Sequence, residues 1–144
     1  MTRFREDTDM PITGLFHIGI YTKNIDSSIS FYKNILGFRE EWRGIVDHPT
    51  GKVEAAVMRL DDCVIELVVP VDLGRVANKP GPLQHLCLKV DHLDGVINEL
   101  SAKGIKLSEE GLEIIPTFMN GIRHVFVYGP SGERIELAEE LLKD

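Results

Sequence analysis

Two stretches decide how this chain is read: FHIGIYTKNIDSSISFYKNILGF, residues 16–38, and QHLCLKVDHLDGVINELSAKGI, residues 84–105. Set one above the other, they share a grammar. Each opens on a short alternating run with a histidine in second place, His17 and His85, followed by a polar break, Lys23-Asn24 and Asp91-His92. Next come Ile25-Asp26 and Leu93-Asp94, where an aspartate can cap a helix. Ile29, Tyr32, Ile35 and Leu36 recur at helical spacing, as do Leu93, Val96, Ile97 and Leu100, so each helix carries one apolar face that needs a sheet to cover it. Gly37 and Gly104 are of the residue type that ends helices.

Three strand-like pieces separated by turn residues follow each helix, around 39–43, 53–60 and 63–69 in the first half and 105–107, 122–128 and 134–138 in the second. A shift of 70 residues lays VMRLDDCVIEL (57–67) on VYGPSGERIEL (127–137), with Ile-Glu-Leu falling on Ile-Glu-Leu. The chain therefore reads as a duplication, strand, helix, then three strands, made twice. The expected fold is α+β, with paired βαβββ modules forming an eight-stranded cup-shaped sheet and the helices outside. One domain covers 1–144, with modules at 15–70 and 83–140 and a Gly- and Pro-rich linker at 71–82.

Strand side chains alternate between faces, so a sheet covered by helices on one side should show something else on the other. Phe16, Ile18 and Ile20 form an aliphatic set that leaves His17 and Tyr21 opposite. Leu86, Leu88 and Val90 leave His85 and Cys87. Ile65 and Leu67 leave Glu66, and Ile135 and Leu137 leave Arg134 and Glu136. A lone strand histidine is ordinarily a packed structural residue, and a lone strand glutamate faces water. Four such residues at equivalent places in two halves are another matter. Related by a pseudo-twofold, His17, Glu66, His85 and Glu136 would meet as two imidazoles and two carboxylates, a mixed N/O set suited to one divalent ion: Zn, Ni, Co, Mn or Fe(II).

The bulk numbers narrow the partners. The chain has 144 residues, 43% hydrophobic and 27% charged, and a formal net charge of −7. That acidic balance counts against nucleic acid and anionic membranes and leaves small molecules or proteins. MTRFREDTDMPITG at the start has no apolar signal core, and no run is long enough to span a membrane, so a cytoplasmic protein is expected. Cys63 and Cys87 sit in apolar runs, where a free thiol behaves as a small hydrophobe. His48 reads as a loop residue and His92 as the lead into a helix. GPSG at 129–132 reads as a turn, not a phosphate cradle. His124 shares a face with Phe126 and Tyr128, and Tyr21 and Arg134 share the histidine face, so Tyr21, His124, Phe126 and Arg134 are the candidate substrate contacts.

FHIGIYTKNIDSSISFYKNILGF, QHLCLKV and GPSGERIEL together resemble the vicinal oxygen chelate superfamily, the glyoxalase and bleomycin-resistance-like proteins, over nearly everything from Leu15 to Glu139. That resemblance implies paired βαβββ modules around a metal, commonly in homodimers, with His17, Glu66, His85 and Glu136 at the four ligand positions of glyoxalase I-like enzymes. It implies a metal-dependent lyase or isomerase acting on a 2-oxo or hemithioacetal compound by proton abstraction next to a carbonyl, with Glu136 or Glu66 as base. Glu136 is preferred because a place near the chain end should leave it freer than Glu66. Two alternatives stand beside this: a methylmalonyl-CoA epimerase-like enzyme, and a resistance-type protein that binds a drug or metabolite without turnover.

Overall fold

A computed structural model describes residues 11–49, 51–76, 81–118 and 120–141. The first module runs β1 (Ile18–Tyr21), α1 (Ile25–Ser30) widening into a π turn over Phe31–Ile35, β2 (Arg39–His48), β3 (Gly51–Leu60) and β4 (Cys63–Val68). The second runs β5 (Leu86–Lys89), α2 (Leu93–Ala102), β6 (Glu113–Ile115), β7 (Ile122–Tyr128) and β8 (Arg134–Glu140). Between them a short 3-10 turn, Leu73–Arg75, is capped by the Asp72 side chain, which accepts from the Gly74 amide.

Each module forms its own four-stranded sheet, ordered β1-β4-β3-β2 and β5-β8-β7-β6. In both, the first and last strands pair in parallel and the rest are antiparallel. The duplication extends to register, since Gly19 stands opposite Glu66 as Cys87 stands opposite Glu136. The α+β class and the βαβββ order are as expected. Among the described residues no ladder joins the two sheets, so the eight strands make two sheets of four, not one continuous sheet.

The two Ile-Glu-Leu segments now have a physical reading. Ile65, Leu67, Ile135 and Leu137 are buried in one apolar cluster with Ile25, Ile29 and Tyr32 from the first module's helical segment and Leu93 and Leu100 from α2. Each such aliphatic side chain contributes about 1.5–3 kcal/mol by leaving water. Strand alternation then forces the intervening glutamate onto the opposite face. Two polar contacts reinforce the seam between modules: the Tyr32 hydroxyl donates to Glu133 Oε2 at 2.9 Å, and Lys103 Nζ donates to the Asn34 carbonyl at 2.9 Å.

Several local expectations are corrected. The α1 cap is Asn24, whose side chain accepts from the Ser27 amide at 3.0 Å. Asp26 and Asp94 sit inside the first helical turn and pair with Arg43 and Arg123, each at 2.8 Å. Residues 105–107 form no strand. Ile105 and Leu107 pack against the core, and the Ser108 amide reaches the Phe126 carbonyl at 2.8 Å. The first strand after α2 is instead Glu113–Ile115, whose side chains are all exposed and so show no alternation in the sequence. His48 ends β2 and does not lie in a loop. Phe16 precedes β1 and is 88% exposed, outside the core. Cys63 packs on the core, but Cys87 lies on the open face. Gly37 and Gly104 do follow the helices, with φ of 82° and 77° that glycine adopts without a Cβ penalty.

Candidate functional site

Glu66 lies in mid-β4 between Gly19 of β1 and Val57 of β3. Gly19 puts no side chain beside the carboxylate, and a Cβ there would sit 4.0 Å from Glu66 Oε1. His17, one residue ahead of β1, places Nε2 at 3.4 Å from that same oxygen. Both side chains stay about one-third exposed, 35% and 32%.

Glu136 occupies the matching place in β8, between Cys87 and Phe126, but its surroundings differ. His85 Nε2 lies 2.9 Å from its Oε1, and His124 Nδ1 lies 2.8 Å from its Oε2. The carboxylate is thus held at both oxygens and only 7% of the residue is exposed. His85 is itself oriented through Nδ1 by the Gln84 side-chain oxygen. The outer nitrogen of His124, Nε2, is 3.4 Å from Glu113 Oε1 across the β6–β7 pair. A place near the chain end suggests greater freedom for Glu136 than for Glu66; the structure reverses that comparison, because β8 continues to Glu140 and two imidazoles hold the Glu136 carboxylate.

The donor chemistry of each half fits a divalent cation. A carboxylate oxygen and an imidazole nitrogen at these separations share a proton or turn their lone pairs toward a common positive charge. Cys87 adds no thiolate: desolvation, and after it the charge and hydrogen bonding of Glu136, push its thiol up to about 12. Each pair is half of a set, however. Among the described residues no group of three or more His, Cys, Asp or Glu side chains is placed to hold a metal ion. His17 also lines a different hollow, beside Trp42 and Val57, from the one His85 lines.

The hollow at His85 is a cleft of about 270 Å³ between the edges of β1 and β5. Ile18, Ile20 and Leu86 give it apolar walls, while Tyr21, Arg75 and Arg134 bring polar groups. Arg134 lies flat over the Phe126 ring, 3.6 Å from its centroid, and bonds Glu110 at 2.8 Å. The Glu110 carboxyl is held below the usual range first by its own backbone amide, then by the Ser108 hydroxyl, with Arg134 a smaller influence. Of the candidate contacts, Tyr21 and Arg134 therefore line the cleft, and Phe126 supports Arg134 from behind. His124 is buried against Glu136. Sequence reasoning missed Gln84, Glu113, Arg75 and Glu133. Gln84 alone had a local signal, as the neighbour of His85.

A protein-family model for the glyoxalase/bleomycin resistance protein/dioxygenase superfamily matches residues 16–126. The chain belongs to that superfamily. Among its relatives, the uncharacterized protein YwbC of Bacillus subtilis (strain 168) is 29% identical over 122 residues, 83% of this chain and 92% of that protein. The mitochondrial methylmalonyl-CoA epimerase of Homo sapiens is 32% identical over 105 residues, 67% of this chain but only 57% of the epimerase. A glyoxalase family protein from Enterococcus faecalis superposes with a TM-score of 0.71 at 23% identity, over 90% of this chain and all of that one, which speaks for the superfamily fold. Among the described residues no helix is long and apolar enough to cross a membrane.

Proposed function

We propose that this superfamily member is a metal-dependent enzyme of proton transfer next to a carbonyl, a lyase or isomerase acting on a small 2-oxo, hemithioacetal or thioester compound. The observation that carries the reading is the inequality of two equivalent carboxylates on the open face: Glu136 buried and held at both oxygens, Glu66 half-open with one partner at 3.4 Å. His17, Glu66, His85 and Glu136 would hold the ion, which when bound supplies Lewis acidity to the substrate carbonyl. Glu136 stays as anchor. Glu66, with space over Gly19, takes the proton from the carbon beside the carbonyl. It returns the proton to the adjacent carbon, which completes the glyoxalase I type of isomerisation; epimerisation would instead need a second acid to deliver a proton to the opposite face of the first carbon. Tyr21 and Arg134 orient the substrate in the cleft beside His85.

The likeness to methylmalonyl-CoA epimerase favours reprotonation of the same carbon from its other face as the second form of this reading. A cytoplasmic homodimer belongs to the proposal too. His17 and His85 line separate hollows of one chain, and the apolar residues leading into β1 and β5 are open, Phe16 at 88% and Leu83 at 81%. A second copy could cover them and complete the set of four ligands. Light scattering should then give about twice the 16.2 kDa of one chain.

The test is hydrogen exchange in deuterated water, with Zn, Ni, Co, Mn or Fe(II), across hemithioacetals, acyl-CoA esters and 2-oxo acids. The wild type should exchange the hydrogen next to the carbonyl of at least one of them. Glu66→Gln should bind the ion and lose exchange, whereas Glu136→Gln should lose the ion. Ion-loaded wild type that exchanges nothing, yet binds one of these compounds, would replace the enzyme with a sequestering protein of the resistance type.

A further inference from the structure

The two modules repeat each other in order, in register and in their His-Glu pairs, yet His124 has no counterpart. His124 stands in β7 two residues before Phe126, the residue opposite Glu136. The matching position in β3 is two residues before Val57, the residue opposite Glu66, and it is Ala55. Among the described residues of the first module, no hydrogen bond or ion pair is seen at the second oxygen of Glu66 to match that of His124 at Glu136. His124 is 5% exposed, and its Nδ1 lies 2.8 Å from Glu136 Oε2. Its far nitrogen lies 3.4 Å from Glu113 on the edge strand β6.

From this asymmetry we infer that His124 is a positioning residue for Glu136: it fixes one carboxylate oxygen through Nδ1, so that the other faces His85 and the cation, and thereby leaves Glu66 as the carboxylate free to move. The inference rests on the proposed metal reading and deepens it. Three features support a built device over incidental packing. The contact is short and buried, so the geometry is fixed where water cannot substitute for it. The ring is also fixed in plane by Phe126, whose centroid is 5.2 Å away at 69°. Finally, the far nitrogen lies 3.4 Å from a Glu113 oxygen without a hydrogen bond to it, so Glu136 is the carboxylate to which the ring is hydrogen-bonded. Partners behind a metal ligand that orient it in this way typically change metal affinity by about 10- to 100-fold.

Two amide substitutions separate orientation from space-filling. In His124→Asn the side-chain amide falls where Nδ1 was and can still donate to Glu136. In His124→Gln it falls where Nε2 was, toward Glu113, while filling more of the ring's volume. His124→Leu supplies bulk with no donor. Affinity for Zn or Ni is measured by competition with a chromophoric chelator, and folding is checked by thermal melting. The expected order is wild type close to Asn, with Gln and Leu at least about tenfold weaker. Should Gln match the wild type while Asn weakens, or should all three variants bind as the wild type does, the positioning role is overturned and the metal reading stands. A wild type that binds neither ion overturns the metal reading and this inference with it.

Discussion

Replacing Tyr32 by phenylalanine removes one hydroxyl from the seam between the modules and nothing else. The ring is fully buried, packed edge-on against Phe31 and Phe38, and its hydroxyl donates to Glu133 Oε2 at 2.9 Å. A hydrogen bond to a charged acceptor is worth about 1.5–3 kcal/mol. Glu133 is half-buried and keeps the Ser131 amide on its other oxygen, so the low end, about 1.5 kcal/mol, is expected near neutral pH. The pH dependence is the sharper part. Burial first, then the charge of Glu133 and the hydrogen bond to it, raise the Tyr32 pKa well above its ordinary value of 10.0. A group whose folded pKa is raised holds its contribution below the unfolded pKa and loses it as pH climbs from there toward the folded pKa. By about pH 11 an unfolded phenol of pKa about 10 is mostly ionised, which takes about 1.4 kcal/mol from the wild type and nothing from this position in Tyr32→Phe. Urea unfolding of both proteins from about pH 7 to about pH 11 should show the stability gap closing almost to zero. A gap that stays constant over that range, or one below about 0.5 kcal/mol at neutral pH, would refute the argument.

Two further outcomes test neighbouring parts of the frame. Gly129→Ala should destabilise by about 1–3 kcal/mol in urea, because a Cβ there runs into the carboxyl of Glu133, which Tyr32 and Ser131 prevent from stepping aside. Asn24→Ala should cost about 1 kcal/mol through loss of the α1 cap, and Asp26→Asn should cost less, since its partner Arg43 is met in open solvent; the reverse order in chemical denaturation would return the cap to Asp26.

The alternation of residues along 16–21, 63–69, 84–90 and 134–138 was enough to place His17, Glu66, His85 and Glu136 on the face away from the helices. Strand geometry has a period of two, and burial of Ile65, Leu67, Ile135 and Leu137 leaves no other face for the glutamates. The repeat of Ile-Glu-Leu likewise made the two-module order legible, because the halves share local pattern as well as fold. Element boundaries were less visible: β6 is exposed on all its residues and carries no alternation, while Ile105 and Leu107 alternate without pairing.

What only the tertiary structure decided is how unequal the two halves are. Sequence equivalence made Glu66 and Glu136 look alike, and nearness to the chain end made Glu136 look free. The difference comes from His124, twelve residues away along the chain and directly against Glu136 across the β7–β8 pair. A register one residue different would turn that imidazole away, since neighbouring strand positions face opposite sides. The same holds for Arg134 over Phe126, Glu133 under Tyr32 and Arg75 in the cleft wall. Hydrophobic periodicity fixes faces because it acts within each strand, whereas polar partnerships between strands depend on register and turn length, which a single run of residues does not contain.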